Sequence, residues 1–288
     1  MIRFDAYTAT MVGAKPGDLL GMICNPLTDK ISQGKGFHTF GERISVKDDT
    51  GTECGSISWG GYQGERVMFE VKGERSPKAV ERLRSAFPHK VTRVDSCADF
   101  DAPGSFERLL GPCTQVKKDF KLKGSKAGDW DDFPEDGRTL YLGAASSAVK
   151  LRLYEKGKQP EYRHLKRDDW ARIEVQARPA KEAKTGFSTL SPIEVWGASK
   201  WSRELAGLVL QEHVDPHPAG TVYKLSERER ALRWMCKQYG QHMLSLAADL
   251  GGFECLGLTL SEMISEANSE HEGVWGSPHV SEAKLPPH

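Results

Sequence analysis

Lys90-Val91-Thr92-Arg93-Val94-Asp95-Ser96-Cys97-Ala98-Asp99 lies within a stretch, His89 to Phe100, that reads as a β-strand. Successive side chains on a strand point to opposite faces, so Asp95, Cys97 and Asp99 share one face and both carboxylates project the same way. Further along, Trp170-Ala171-Arg172-Ile173-Glu174-Val175-Gln176-Ala177 reads as another strand, with Arg172, Glu174 and Gln176 on one face. Carboxylates on an interior strand are expensive unless they meet cations or donors. Two readings follow. Asp95, Asp99 and Glu174 are oxygen ligands for Mg²⁺ or Mn²⁺, or they are sheet carboxylates paired with Arg or Lys.

Working outward, residues 36–73 form short alternating runs broken by Gly- and Asp-rich turns, such as Arg43-Ile44-Ser45-Val46, Gly55-Ser56-Ile57-Ser58-Trp59 and Val67-Met68-Phe69-Glu70-Val71. This pattern predicts an antiparallel meander. Ser76-Pro77 opens a helix with Val80, Leu83 and Phe87 at helical spacing, ended by Pro88, and Gly104 to Leu110 resembles another helix. Residues 117–136 read as a Lys-rich and then Asp/Trp-rich loop. Strands follow at Thr139-Leu140-Tyr141-Leu142-Gly143 and Val149-Lys150-Leu151-Arg152-Leu153-Tyr154. Beyond Lys184 the period turns helical, with Ser226-Glu227-Arg228-Glu229 as a capping box. The expected fold is α+β, an antiparallel sheet with flanking helices and a helical C-terminal part. Its parts are a β-rich 1–88, a core sheet over 89–184, helices over 185–270, and a flexible tail over 271–288.

The 288 residues carry 40 Lys+Arg and 40 Asp+Glu, with a mean hydropathy of −0.52. Zero net charge excludes a uniformly basic nucleic-acid coat and a wholly acidic chain. No window reaches the ~18 apolar residues of a membrane span, and Met1-Ile2-Arg3-Phe4-Asp5 is no signal sequence. A cytoplasmic protein with no membrane partner is expected. The six cysteines, never spaced as CxxC, read as reduced thiols, and the dispersed histidines as solvated loop residues. Counted by segment, residues 150–184 hold eleven basic and six acidic residues, whereas 185–288 hold eight and thirteen. The zero is therefore a cancellation between a basic middle and an acidic C-terminal third.

Tyr154 ends a strand inside that basic segment, in Leu151-Arg152-Leu153-Tyr154-Glu155-Lys156-Gly157. A tyrosine hydroxyl, with an ordinary pKa of about 10, is a poor nucleophile unless a cation such as Lys156 or a metal favours its anion. A core or rim tyrosine is the other reading. Gly137-Arg138-Thr139-Leu140-Tyr141-Leu142-Gly143 lacks the layout of a phosphate loop and reads as a turn entering a strand.

Taken in order, Arg93-Val94-Asp95-Ser96-Cys97-Ala98-Asp99, Gly137 to Gly143, Leu151 to Gly157, and Trp170 to Arg178 resemble the replication initiation factor family. These are the Rep_trans-type rolling-circle initiators of plasmids and filamentous phages, to which nicking relaxases of integrative elements are related. The likeness covers residues 90–180. It departs from the family pattern at Ala144-Ala145-Ser146-Ser147, which lacks a basic residue, and after Gly157, where the next acidic residue waits until Glu161.

The resemblance implies a fold related to the nuclease folds of rolling-circle initiators and relaxases, and a metal-dependent, site-specific endonuclease and strand transferase. A tyrosine attacks one origin phosphodiester, leaves a 3′-OH primer, and stays joined to the 5′-phosphate. Carried onto this chain, Tyr154 is the nucleophile with Lys156 beside it, and Tyr141 and Tyr162 are alternatives. Asp95, Asp99 and Glu174 would hold Mg²⁺ or Mn²⁺. Arg93, Arg152, Arg172 and Arg178 would contact DNA. Implied partners are origin DNA, as a hairpin or a single-stranded nick site, a bacterial host's helicase and DNA polymerase, and a second copy in a homodimer. Two other functions fit the basic middle: a non-catalytic DNA-binding regulator or replication accessory protein on the same fold, and a general single-strand binder.

Overall fold

Tyr7, Ala9 and Met11 are buried while Thr8, Thr10 and Val12 are not, the two-residue alternation of a strand with one covered face. They belong to β1 (Ile2–Val12), a strand not expected from the sequence, which is central in the sheet. In this computed structural model the described residues are 2–132, 134–220 and 227–272. Helix α1 (Pro16–Ile23) follows β1. The expected meander then appears as β2 (Lys30–Lys35), β3 (Glu42–Lys47), β4 (Glu53–Trp59) and β5 (Arg66–Lys72), and α2 (Ser76–Ala86) follows it.

The strand expected over His89 to Phe100 is β6 (Lys90–Asp101), and the helix after it, α3 (Ser105–Asp119), runs through Pro112 well beyond Leu110. Strands β7 (Gly124–Ala127), β8 (Thr139–Leu142), β9 (Val149–Glu155) and β10 (Trp170–Ala177) complete the sheet, so the expected loop over 117–136 contains part of α3 and all of β7. Short α4 (Ala183–Gly186) and longer α5 (Lys200–Leu210) come next. Ser199 caps α5, accepting from the Ser202 amide at 3.2 Å while Ser202 Oγ accepts from the Ser199 amide at 3.1 Å.

All neighbours in the ten-stranded sheet are antiparallel, in the order β2-β3-β4-β5-β1-β6-β10-β9-β8-β7. Its covered face carries Tyr7, Val94, Leu151, Leu153, Ile173 and Val175 against Leu19, Leu83, Phe106, Val116, Trp196 and Leu205 from the helical layer. Trp196, fully buried, donates Nε1–H to Ser96 Oγ at 3.1 Å, and Ser96 donates to the Pro192 carbonyl at 2.7 Å. Segment 185–220 is thereby built into the sheet's core.

β1 pairs with β5 on one side and β6 on the other, so one sheet runs through both of the segments divided at residue 88 in the sequence reading. The compact units are instead Met1–Val222 and Tyr223–His288. In the second unit α6 (Glu227–Leu250) and α7 (Phe253–Glu272) are joined at Gly251-Gly252 with a bend of 110°. Positive φ values of 88° and 138° at these glycines make the sharp turn accessible. Ser226 of the expected capping box, and residues 273–288 of the expected tail, lie outside the described residues. Among the described residues no single helix is long and apolar enough to cross a membrane.

Candidate nucleic-acid cleft on the polar face of the sheet

The other face of the sheet is polar across β1, β6, β10 and β9. Register aligns Asp99 with Arg172 and Arg172 with Tyr154; one step along, Cys97 aligns with Glu174 and Glu174 with Arg152; next, Asp95 aligns with Gln176. A bulge between Phe4 and Ala6 places Asp5 at this face. Buried Arg172 binds Asp99 through Nε (2.6 Å) and Nη2 (2.8 Å), and reaches Asp5 through Nη1 at 2.6 Å. Trp170 donates Nε1–H to Asp99 at 2.9 Å, and Arg3 approaches the same carboxylate at 3.5 Å. These contacts hold the Asp99 carboxyl below its ordinary range despite desolvation, which pushes the other way.

Arg93 grips Asp95, with Nε 2.9 Å from Oδ1 and Nη2 on Oδ2, and Gln176 donates to Oδ2 at 3.2 Å. Arg152 donates to Glu174 at 2.8 Å. Glu174 is buried, and desolvation together with the nearby Asp95 and Asp5 charges raises its pKa above the ordinary carboxylate range against the pull of Arg152. Asp95, Asp99 and Glu174 therefore share one face, as expected, but each has a guanidinium on it. Among the described residues no three carboxylate, His or Cys side chains gather as a metal-binding group. As they stand, these three carboxylates do not fit a resident divalent ion; their geometry is that of paired sheet carboxylates.

Tyr154 and Lys156 line one cleft of about 230 Å³, with Arg3, Asp5, Arg172 and Tyr162 also in its wall. Tyr154 is 3% exposed, and its ring lies 4.5 Å beneath the Arg152 guanidinium. Burial first, then the Glu174 charge, drives its hydroxyl pKa well above the ordinary value, while Arg152 and Arg172 pull it down. Lys156 is 6% exposed, with Nζ 3.9 Å from the centre of the Tyr162 ring, 5.5 Å from that of Trp170 and 5.9 Å from that of Tyr154. Desolvation, with a smaller push from Arg172, lowers its pKa to about 8. Tyr162 is half-buried and packs edge-on to Trp170 at 5.2 Å.

Local structure fixes Lys156. Glu155 before it is clamped by the Arg138 amide and guanidinium and by Lys158. Gly157 after it lies so close to the Arg167 carbonyl oxygen that a Cβ would sit 1.7 Å from that atom.

The remaining sequence-derived site residues lie elsewhere. Tyr141 is exposed on β8 opposite Arg152 and outside this cleft. Arg178 follows the end of β10, six residues from Arg172 and hence about 20 Å along the strand direction. Arg93 lies on the Asp95 side. Sequence reasoning missed Arg3 and Asp5. The alternation of Phe4, Tyr7, Ala9 and Met11 with polar residues is limited to β1, but the bulge that admits Asp5 has no sequence signature.

An antiparallel sheet with helices on one face and a cation-lined, tyrosine-bearing cleft on the other suits binding and processing of phosphodiesters. The model of the replication initiation factor family matches residues 90–236, just over half of the sequence, and the chain belongs to that family. Among solved structures, the chain is similar to the rolling circle replication initiator protein from Geobacillus stearothermophilus, at 18% identity and a TM-score of 0.47, over 68% of this chain and 83% of that one. No curated protein matches it.

Proposed function

We propose that this protein initiates rolling-circle replication by nicking one strand at its origin through Tyr154. The observation that carries the proposal is the convergence of Tyr154, Lys156, Arg152 and Arg172 on one cleft. The tyrosine oxygen attacks the scissile phosphorus, the P–O3′ bond breaks, and a 5′-phosphotyrosine and a free 3′-OH result. The proton lost by tyrosine ends on the 3′ oxygen, so the bond energy is retained for a second transfer that rejoins the strand. Lys156, with a pKa near physiological pH, is the group in the cleft suited to carry that proton or to meet the phosphate charge. Half-buried Tyr162, in the wall of the cleft, offers ring surface to an unpaired base, whereas Trp170 beside it is buried with the Arg167 guanidinium over its ring.

Origin DNA is the partner, as an extruded hairpin or single strand, in a bacterial cytoplasm where host helicase and polymerase extend the 3′ end, with a second copy of this chain completing a homodimer. Mg²⁺ or Mn²⁺ dependence is proposed on family membership alone, since Asp95, Asp99 and Glu174 are each held by an arginine.

One observation favours a second reading, a non-catalytic DNA-binding regulator: the Tyr154 hydroxyl is buried with its pKa raised, which disfavours the phenolate. A supercoiled plasmid carrying the replicon's own origin, incubated with the protein and Mg²⁺ or Mn²⁺, separates the two. A nicked product with protein on its 5′ end is expected, and it should vanish in Tyr154→Phe. No adduct with either ion would leave the regulator standing. Adduct retained in Tyr154→Phe but lost in Tyr162→Phe would move the nucleophile to the cleft's other tyrosine.

A further inference from the structure

A second cleft, of about 570 Å³, opens at the far end of β1 and β6 and is lined by Thr10, Arg66, Lys90, Lys181, Glu182 and Lys184 among others. Four cations face one carboxylate there. None of the four forms an ion pair or a side-chain hydrogen bond among the described residues, in contrast to the arginines of the tyrosine cleft, which are committed to Asp5, Asp99 and Glu174. Four cations around one carboxylate leave a net positive charge in the cleft, which attracts an anion.

Its components come from three separate places. Arg66 and Lys90 begin β5 and β6, and Lys181 and Lys184 come from the segment after β10. Lys181 adopts a left-handed backbone, φ 48°, which non-glycine residues seldom occupy. Register places Thr8 opposite Arg93 and Thr10 opposite Lys90, so Lys90 lies on the same polar face as Arg93 and Asp95. Nine residues of β6 separate Lys90 from Asp99, roughly 30 Å at the rise of a strand. That is about the span of nine nucleotides along one strand of duplex DNA.

We propose that this cleft is a second DNA contact, holding the phosphate backbone of duplex flanking the nick site while the tyrosine cleft holds the strand to be cut. Its ammonium and guanidinium groups and the Thr10 hydroxyl are donors suited to phosphate oxygens. The inference rests on the DNA-binding part of the proposed function and is independent of nicking.

The test is equilibrium binding by fluorescence anisotropy in EDTA over a salt series, with a duplex of about 24 base pairs and a single strand of about eight nucleotides as probes. For Lys90→Ala/Lys181→Ala/Lys184→Ala, the slope of log K against log salt on the duplex should fall by about 3, one per lost phosphate contact. On the short strand it should fall by less than about 1. Lys78→Ala/Lys118→Ala/Lys200→Ala, an equal charge change at exposed positions on the helices, is the control and should leave the duplex slope in place. A duplex slope unchanged in the first triple variant, or lowered equally in the control, overturns the proposal. Because EDTA suppresses metal-dependent cutting, a protein that never forms a tyrosine adduct still gives this answer.

Discussion

Arg172 holds Asp99 by two parallel contacts across the β6–β10 pair, Nε to Oδ1 at 2.6 Å and Nη2 to Oδ2 at 2.8 Å. Its remaining nitrogen reaches Asp5 on β1, so one side chain ties three strands together beneath the cleft. Removing one partner of a buried ion pair leaves a charge without compensation, at about 3–5 kcal/mol. Arg172→Ala should lower unfolding free energy by that order in urea titrations. Arg172→Lys should rescue only part of it, because an ammonium cannot match the two-point geometry. Wild-type stability in Arg172→Lys would show that the paired geometry is unimportant.

Lys156 gives a pH signature. Its folded pKa of about 8 lies below the ordinary 10.5, so below pH 8 both states carry the proton and the full penalty of burying the charge is present. Between those values the unfolded chain binds more protons, and stability from this group rises with pH. Lys156→Met should therefore melt at a higher temperature than wild type at pH 7, with the gain shrinking toward pH 10, while its affinity for single-stranded DNA falls. A Tm difference independent of pH would mean that the lysine is not desolvated in solution.

Glu174 works in the opposite sense. Its folded pKa is raised, so the folded state holds the proton longer and loses relative stability as pH climbs from the ordinary carboxylate value through the raised one. Glu174→Gln lacks that loss. Denaturation midpoints of variant and wild type should converge near pH 4 and separate in the variant's favour by pH 8. Separation in the other direction would show that the Arg152 contact outweighs desolvation.

Gly157 tolerates no side chain. With a Cβ 1.7 Å from the Arg167 carbonyl oxygen, Gly157→Ala must displace the loop that carries Lys156. Overpacking of this kind costs about 1–3 kcal/mol. DNA binding should suffer alongside stability, and Gly111→Ala, on α3 with open space around it, is the harmless comparison.

Truncation tests where the sheet unit ends. A chain stopped after Lys184 loses fully buried Trp196 and Leu205, each large apolar side chain contributing about 1.5–3 kcal/mol by burial, and should not fold cooperatively. A chain stopped after Val222 keeps the whole first unit and should retain a sharp thermal transition. Residues 223–288 hold six basic and nine acidic residues, so the longer piece should also bind random DNA more tightly than the full chain, and equal affinity would show that this acidic surplus does not limit non-specific binding.

Much of the local structure follows from the order of residues alone. The strand from His89 to Phe100, the helix from Ser76, the strands over Thr139 to Gly143 and Val149 to Tyr154, and the Trp170 strand were legible because periodicity and turn residues are local properties. The same blocks carried the family resemblance and placed Tyr154 beside Lys156. Tertiary structure alone decided what those residues meet. β1 and its bulge bring Arg3 and Asp5 across the chain to Arg172, and no spacing along one strand reveals that neighbour. Pairing between β6, β10 and β9 then assigns an arginine to each carboxylate, turning a metal-like pattern into an ion-pair lattice. The reason is physical: strand period fixes which face a side chain takes, whereas its charge partner is set by register with strands distant in sequence.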